Sequence, residues 1–276
     1  MQLFAAGFSF PLWGKFQDLI FAALYQLHTW TGDWGVAIIL LTVAIRILIL
    51  PLTIKQTASM YQMQKIQPKI KALQAKYKDD KEKLQEETLK FYSENKVNPL
   101  GGCLPLLLQM PVFFALFAVL RGLGAKIAPE VPSFLVIISN LTLKPSEVYF
   151  KAAHTGGFFA GVLAALPYLI LVLLFSISIW LPQALMPGDK QQKMIGAYMA
   201  VAMLWFGWSS PAGVLLYWDV SSIWGVGQQQ LTMMWMNRKQ AADELAAKAE
   251  KADAKSTSDE VSTKKPANKG KSAKKS

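Results

Sequence analysis

The 276-residue chain combines 53% hydrophobic residues with a formal net charge of +11. Long apolar blocks alternate with basic blocks. This pattern indicates a polytopic, all-α membrane protein and not a basic soluble domain, so DNA is not an expected partner. One cysteine and two histidines are too few for an intramolecular disulfide, a histidine-based metal site or a catalytic triad. We therefore expect no metal, no cofactor and no catalytic residue.

The N-terminal segment, residues 1–32, is predicted to contain a helix over 16–30. Its larger apolar residues fall on one face, which is typical of a helix that lies in a membrane interface. These residues are Phe16, Leu19, Ile20, Ala23, Leu24 and Leu27. An ordinary packed helix would show the same pattern, and the sequence does not separate the two.

Five membrane spans are predicted within a core that covers residues 33–236. They lie at about 33–52, 99–121, 157–181, 192–210 and 212–236. The fourth apolar run, from Met194 to Trp208, has only 15 residues. That is roughly 22 Å of helix, against a hydrocarbon core of about 30 Å. Either the helix continues past both ends of this run, or the bilayer thins beside it.

The distribution of lysine and arginine predicts the orientation of the chain. Residues 53–98 carry ten lysines and the segment from Asn237 carries eleven basic residues, whereas the loops of the opposite side carry five. Cytoplasmic loops are enriched in lysine and arginine. We therefore expect the N-terminus outside the cell and the C-terminus in the cytoplasm.

Residues 53–98 are predicted to form an antiparallel helical hairpin in the cytoplasm, with a turn near residue 78. Apolar residues of the first arm repeat at spacings of 3 and 4, which is a coiled-coil seam, and a second series continues on the other arm. The two series are Met63, Ile66, Ile70, Leu73 and Tyr77, then Leu84, Thr88 and Phe91. Pro68 is expected to kink the first arm or to start a new helix. The alternative is a solvated linker with helical tendency.

Two polar segments complete the organisation. Residues 123–156 are predicted to form an extracellular loop, and residues 237–276 a basic, largely disordered cytoplasmic tail with a helix-prone start at 241–251. A basic tail beside a membrane can bind anionic lipid or ribosomal RNA. It can equally be a solubilising tail that only follows the positive-inside rule.

Arg46 lies in an otherwise apolar run over residues 35–51. A guanidinium inside a span costs roughly 2.5–3.5 kcal/mol on insertion scales, and it cannot lose its proton to escape that cost. Such a charge normally faces a wet cavity or a partner. Alternatively, since Leu52 is only six residues away, or roughly 9 Å of helix, the side chain could snorkel to the headgroups.

Polar residues on other spans favour the cavity. Thr42 is one turn before Arg46, and the second span carries Gln109. On the fifth span a face with spacings of 4, 3 and 4 holds Trp218, Ser222, Gly225 and Gln229. Together with an unpaired arginine these groups indicate a shared hydrated recess. The alternative is ordinary hydrogen bonding between helices, worth only about 0.6 kcal/mol on average.

Asp219 is the only acidic residue well inside a span. It could be the countercharge of Arg46, because a buried charge is normally paired. However, the two residues lie at different depths in their spans, with an axial offset of roughly 7–8 Å. We therefore expect Asp219 near the outer rim of the recess, and keep direct pairing as the less favoured alternative.

Several stretches of the chain resemble the YidC/Oxa/Alb membrane protein insertases, in the short bacterial form with five core spans. The most specific is NPLGGCLPLLLQMP over residues 98–111. The others are 34–46, 51–53, 63–70, 189–194, 210–218 and 228–231. They occur in the family's order across residues 33–236.

This resemblance implies a fold and a function. It implies five helices around a hydrophilic groove that opens to the cytoplasm and lipid and is closed outside, in the bacterial inner membrane. Arg46 resembles the family's groove arginine, with Thr42 as its neighbour, Gln109 on the second span and Trp218 on the fifth. The implied activity is insertion and folding of nascent membrane proteins, alone or with the Sec translocon. Lipids are implied partners, and the ribosome could contact the tail and the hairpin. Asp219 departs from the pattern, because the family usually has an apolar residue there.

Two other classes are less favoured. A solute transporter would also carry a charge at mid-membrane, but it would tend to show repeated halves, and the sequence contains none. An intramembrane enzyme would need a nucleophile with a base or a pair of acids, and only Asp219 is available within a span. We therefore expect a protein that is not an enzyme.

Overall fold

A computed structural model describes residues 11–95, 104–185 and 190–263. Their regular structure is helical, apart from one isolated bridge between Phe134 and Ile138. The helices are α1 (Pro11–Thr31), α2 (Trp34–Leu48), α3 (Leu50–Lys76), α4 (Lys81–Glu94), α5 (Leu104–Arg121), α6 (Leu123–Ile127), α7 (Pro145–Leu185), α8 (Lys190–Trp208) and α9 (Ala212–Thr263). The start of the second predicted span, with Cys103, and the end of the tail, 264–276, lie outside the described residues.

Helix α1 packs on α2 and α5 through most of its predicted apolar face. Ile20 and Leu24 are buried there, whereas Leu19 is exposed. Gly32, in the left-handed region with φ +71°, separates α1 from α2. Asp33 then begins α2, because its carboxylate accepts a hydrogen bond from the Val36 N–H at 2.8 Å. The N-terminal segment is thus joined to the core by a capped turn.

The first predicted span contains a bend. Helix α2 ends at Leu48, and α3 begins at Leu50 with its axis turned by 65°. Pro51 lies in the first turn of α3, where its missing N–H would have no partner in that helix. The expected span to residue 52 therefore changes direction at Ile49.

Helices α3 and α4 occupy the segment predicted as a hairpin and contact each other across the turn at 77–80. Pro68 lies within α3 and does not end it. Asp80 caps α4 by accepting from the Lys83 N–H at 3.0 Å. The residues of both predicted apolar series are half-buried, and most of the other residues in 62–95 are exposed.

Helix α7 begins at Pro145, so residues 145–156 of the expected loop 123–156 are helical. Gly157 has non-helical angles, φ 81° and ψ −175°, and divides α7 at the residue where the third span was predicted to begin. Helix α8 packs along α7, and the Ser176 hydroxyl of α7 donates to the Ala200 carbonyl of α8 at 2.8 Å. Helix α8 has 19 residues, roughly 28 Å, which is close to the thickness of a hydrocarbon core.

The chain divides into two compact units, Met1–Gln230 and Leu231–Ser276. In the first unit, buried apolar side chains of α1, α2, α5, α7 and the start of α9 form one core. In the second unit, the described residues 231–263 are helical, so this part of the expected tail has regular structure as far as Thr263. Within it, the Gln240 amide donates to Glu244 at 2.7 Å.

One described helix, Pro145–Leu181, is long and apolar enough to cross a membrane. The bent pair Trp34–Leu48 and Leu50–Lys76 passes the same test together, and the apolar stretches Gln109–Arg121 and Met194–Trp208 are shorter. Many large apolar side chains of α7 and α8 point outward, among them Phe159, Leu163, Tyr198, Val201 and Trp205. An outward apolar surface of this kind suits a lipid environment.

Candidate functional site

Arg46 lies in the last turn of α2 and is half-buried. Its Nε and Nη2 atoms donate hydrogen bonds to Ser221 Oγ of α9, at 3.0 and 2.5 Å. A β-carbon on Gly225, one turn further along α9, would lie 3.7 Å from Arg46 Nη1. The guanidinium therefore lies across the bare backbone of that glycine. Within the described part of the chain, no carboxylate pairs with Arg46.

Tyr217 lies one turn before Ser221 on α9 and is buried. Its hydroxyl oxygen accepts a hydrogen bond from the Gln109 amide of α5. Gln109, which was singled out from the sequence, thus joins the second predicted span to the fifth. Its partner Tyr217 lies one helical turn before Ser221, the residue that accepts hydrogen bonds from Arg46.

Gln228 contributes a third contact between helices. Its Nε2 atom donates to Thr53 Oγ1 of α3 at 2.6 Å. The Thr53 hydroxyl in turn donates to the Leu50 carbonyl at 2.9 Å. The contact therefore fixes the first turn of α3, just after the 65° bend, against α9.

These contacts lie along one stripe of α9. Tyr217 contacts α5, Ser221 and Gly225 contact α2, and Gln228 contacts α3. These four residues are 4, 4 and 3 positions apart. We call the set Tyr217, Ser221, Gly225 and Gln228 the polar stripe. It is roughly 16 Å long at 1.5 Å per residue. Among the described residues that contact this stripe in these ways, Arg46 is the one that is permanently charged.

Burial decreases along the stripe. The buried residues of α2 all lie between Trp34 and Thr42, and none occurs after Thr42 in that helix. On α9, Tyr217 and Ser221 are buried, but no side chain from 222 to 230 is. The stripe is therefore tightly packed at the start of α2 and α9 and less buried from Ser222 to Gln230, whereas Gln56 and Thr57 of α3 are buried.

The loop 128–144 covers the tightly packed end. Its backbone accepts hydrogen bonds from the first turns of both helices: Gly35 N–H to Ser133 O at 3.1 Å and Gly213 N–H to Leu141 O at 2.8 Å. Glu130 Oε1 adds a side-chain contact, because it accepts from Trp34 Nε1 at 2.7 Å. The loop thereby ties α2 to α9 at the end farthest from α3.

Thr42 and Trp218 lie beside the stripe but point elsewhere. The Thr42 hydroxyl is buried and donates to the Ile38 carbonyl of its own helix at 2.6 Å. Trp218 packs edge-on against Phe113 of α5 and Phe175 of α7, with ring centroids 5.2 and 5.3 Å away. Trp218 of α9 therefore joins α5, α7 and α9.

The remaining predicted residues lie on other faces of α9. Ser222 and Gln229 are half-buried and make no hydrogen bond within the described part of the chain. Asp219 is 3% exposed, and neither carboxylate oxygen has a hydrogen-bond partner among the described residues. It is two residues from Ser221, about 200° around the helix, so the structure does not bring it to Arg46.

The sequence pattern predicted that the face of α9 with Trp218 and Ser222 lines the site, but the contacts lie on a neighbouring face. The face through Trp218 and Ser222 has spacings of 4, 3 and 4, and the polar stripe has equally regular spacings. Because Gly225 belongs to both, helical periodicity alone could not separate them. Thr53 was not predicted, since it falls where the predicted span was ending.

In the described residues, no group of three His, Cys, Asp or Glu side chains could hold a metal ion.

A helical core with exposed apolar side chains, and with an arginine that contacts a polar stripe on a neighbouring helix, is typical of a helical membrane protein. The family model of the 60Kd inner membrane protein matches residues 26–240. A membrane protein insertase YidC of Syntrophobacter fumaroxidans is 41% identical over 214 residues, which is 76% of this chain and 36% of that protein. One of Pseudoalteromonas atlantica is 35% identical over 223 residues, 80% of this chain and 37% of that protein.

A solved structure described as an active YidC insertase with its first transmembrane domain resolved is also similar. It has a TM-score of 0.57 and 29% sequence identity, over 82% of this chain and 47% of that one. The chain therefore belongs to the 60Kd inner membrane protein family, the YidC/Oxa/Alb insertases. It spans a little over a third of the length of the curated relatives it matches.

Proposed function

We propose that this chain is a membrane protein insertase and chaperone whose clients contact the polar stripe and Arg46. One observation carries the proposal. A permanent cation is held by a neutral hydroxyl, without a carboxylate among the described residues, at the point where burial decreases. A cation in that setting retains its attraction for an anionic group. The YidC relatives, named as membrane protein insertases, support the same activity.

The energetic problem is to move a client's polar tail across about 30 Å of hydrocarbon. A hydrated groove that begins near α3 and ends near Arg46 would shorten the dry part of that path. Acidic residues in the tail would meet the guanidinium part-way. The attraction must stay limited, because a tight ion pair in a medium of low dielectric would trap the client.

The client's apolar segment would supply the driving force. Burying apolar surface gains about 25 cal/mol per Å². Helix α7 offers a continuous outward apolar surface for this step, with exposed side chains at Leu163, Leu166, Ile170, Leu173 and Ile177. We propose that the client leaves the groove along this helix and along the fifth span into lipid.

The proposed arrangement in the membrane has five spans around the groove, with the N-terminus outside. The hairpin of α3 and α4 and the C-terminal tail would lie in the cytoplasm, since they carry most of the lysines. Nascent membrane proteins and lipids are the proposed partners, and the Sec translocon a cooperating one. The basic tail and hairpin offer a surface for the ribosome, because RNA phosphates attract clustered lysines.

Reconstituted insertion tests the role of Arg46. The client would be a single-span protein with an acidic extracellular tail, inserted into proteoliposomes that contain wild-type protein, Arg46→Ala or Arg46→Lys. We expect Ala to reduce insertion strongly and Lys to retain part of it. Arg121→Ala is the matched control, because Arg121 ends α5 and is exposed. A second client with an uncharged tail should depend less on Arg46.

Full insertion of both clients by Arg46→Ala would contradict the role proposed for this charge. It would leave the family membership intact, since that rests on residues 26–240 as a whole. Solute flux through the same vesicles without client insertion would favour a transporter instead.

A further inference from the structure

The loop 128–144 carries three consecutive apolar residues at its surface. Leu135 is 54% exposed, Val136 97% and Ile137 60%. We call these three residues the apolar tip. Folded chains rarely leave a cluster of large aliphatic side chains in water without a use for it. The polar stripe and Arg46 do not involve this cluster.

The backbone holds the apolar tip in one conformation. Phe134 and Ile138 exchange hydrogen bonds at 3.0 and 3.1 Å on either side of it, and the Ile137 N–H donates to the Phe134 carbonyl at 2.9 Å. Leu135 and Val136 have φ values of 44° and 62°. Positive φ is a genuine outlier for a β-branched residue such as Val136. The turn therefore presents Val136 outward instead of turning it into the core.

The apolar tip is fixed to the end of a span. Asp33 Oδ2 accepts from the Leu135 N–H at 2.7 Å, while Asp33 Oδ1 caps α2. Trp30, three residues before Asp33, and Tyr25, in the same helix α1, are exposed. Trp and Tyr are enriched where a span meets the headgroups of a bilayer. The tip is therefore hydrogen-bonded to the residue that caps α2, and exposed aromatic residues lie in the last two turns of the preceding helix α1.

The composition of the loop favours lipid over a charged partner. No charged residue occurs between Glu130 and Lys144. Charged side chains would oppose entry into hydrocarbon, whereas the three aliphatic residues favour it. We propose that the apolar tip inserts into the bilayer leaflet at the start of α2. This contact would anchor the loop that closes the groove.

An environment-sensitive fluorophore tests the insertion. Cys103 is the single cysteine, so Val136→Cys in a Cys103→Ser background gives one site for an NBD label. The full chain would be reconstituted in phosphatidylcholine and phosphatidylglycerol vesicles. Glu147→Cys is the control, because Glu147 is exposed and polar, and lies after the same loop. We expect blue-shifted emission at 136, quenched by spin-labelled lipid and several-fold less accessible to iodide than at 147.

A second variant separates insertion by the apolar tip from insertion by the label. With Leu135→Ser and Ile137→Ser, the label at 136 should return toward the emission and iodide access seen at 147. An unchanged signal in that variant would overturn the proposal, as would a water-exposed label in the parent. A label that is exposed in lipid vesicles but shielded in native membranes would also overturn it, in favour of a protein partner.

Discussion

Arg46 and Ser221, 175 residues apart in the chain, are joined by two hydrogen bonds to a single hydroxyl oxygen. The acceptor is neutral, so it orients the guanidinium without cancelling its charge. An Asp or Glu in its place would form a buried ion pair, which would compete with an acidic client. The contact therefore suits the proposed role, in which the charge of Arg46 attracts an acidic client.

Removing this acceptor should weaken both stability and insertion. In Ser221→Ala the guanidinium loses its only hydrogen-bond partner among the described residues. Hydrogen bonds to charged groups contribute about 1.5–3 kcal/mol, so we expect a loss near the lower figure in a site that is only half-buried. Chemical unfolding in detergent would measure it, alongside insertion of the acidic client.

The neighbouring residue supplies the control for that experiment. Ser222 makes no hydrogen bond in the described part of the chain, so Ser222→Ala should leave the free energy of unfolding and client insertion close to wild type. If Ser221→Ala and Ser222→Ala lower the free energy of unfolding and client insertion equally, then the hydrogen bonds from Arg46 to Ser221 make no specific contribution.

Gly225 should tolerate a small side chain but not a large one. A β-carbon there meets Arg46 Nη1 at 3.7 Å, which is ordinary van der Waals contact, so Gly225→Ala should retain activity. Gly225→Leu places three more carbons where the guanidinium lies and should displace it, lowering insertion of the acidic client. Crosslinking of that client to positions near the stripe would report the displacement.

Gly227 is the matched position for this comparison. It lies two residues further along α9, and a β-carbon there would have nothing within 4 Å. Gly227→Leu should therefore insert the acidic client as well as wild type does. A loss of insertion in Gly227→Leu comparable to that in Gly225→Leu would point to helix packing instead of the arginine.

A double-mutant cycle should detect the contact between Gln109 and Tyr217. Tyr217→Phe removes the acceptor hydroxyl while keeping the ring, and Gln109→Leu removes the donor. Hydrogen bonds between membrane helices average about 0.6 kcal/mol, so we expect a coupling of that size in the free energy of unfolding. Additive effects of the two substitutions would mean that the bond contributes nothing.

The all-helical architecture could be predicted from the sequence, because long apolar blocks in a membrane must satisfy their own backbone hydrogen bonds. The 65° bend at Ile49 could not be predicted from the sequence. Pro51 marks a helix start as readily as a kink, and the direction of α3 depends on Thr53 meeting Gln228, a contact between distant parts of the chain. Similarly, Pro68 lies inside α3 and does not start a new helix, which was one of the two expectations for this proline.

The site was predictable in part for a related reason. The cost of a buried guanidinium drew attention to Arg46, and Gln109 stood out as the amide of an apolar span. The partners Ser221 and Tyr217 depend on how α9 is rotated. That rotation is fixed by packing, such as Trp218 against Phe113 and Phe175, and not by spacing within α9.

The contact between Gly35 and Phe134 gives a final prediction, on the loop 128–144. A β-carbon on Gly35 would overlap the Phe134 side chain, so Gly35→Ala forces the loop to move. Overpacking of this kind costs about 1–3 kcal/mol, and we expect a lower thermal midpoint of unfolding. The double variant Gly35→Ala with Phe134→Ala should recover part of the lost thermal midpoint, because the smaller side chain at 134 makes room for the new β-carbon. Gly14→Ala is the control, since nothing lies within 4 Å of a β-carbon there. If Phe134→Ala only adds to the loss, then the two residues are not in steric conflict, and the loop is held by its backbone hydrogen bonds alone.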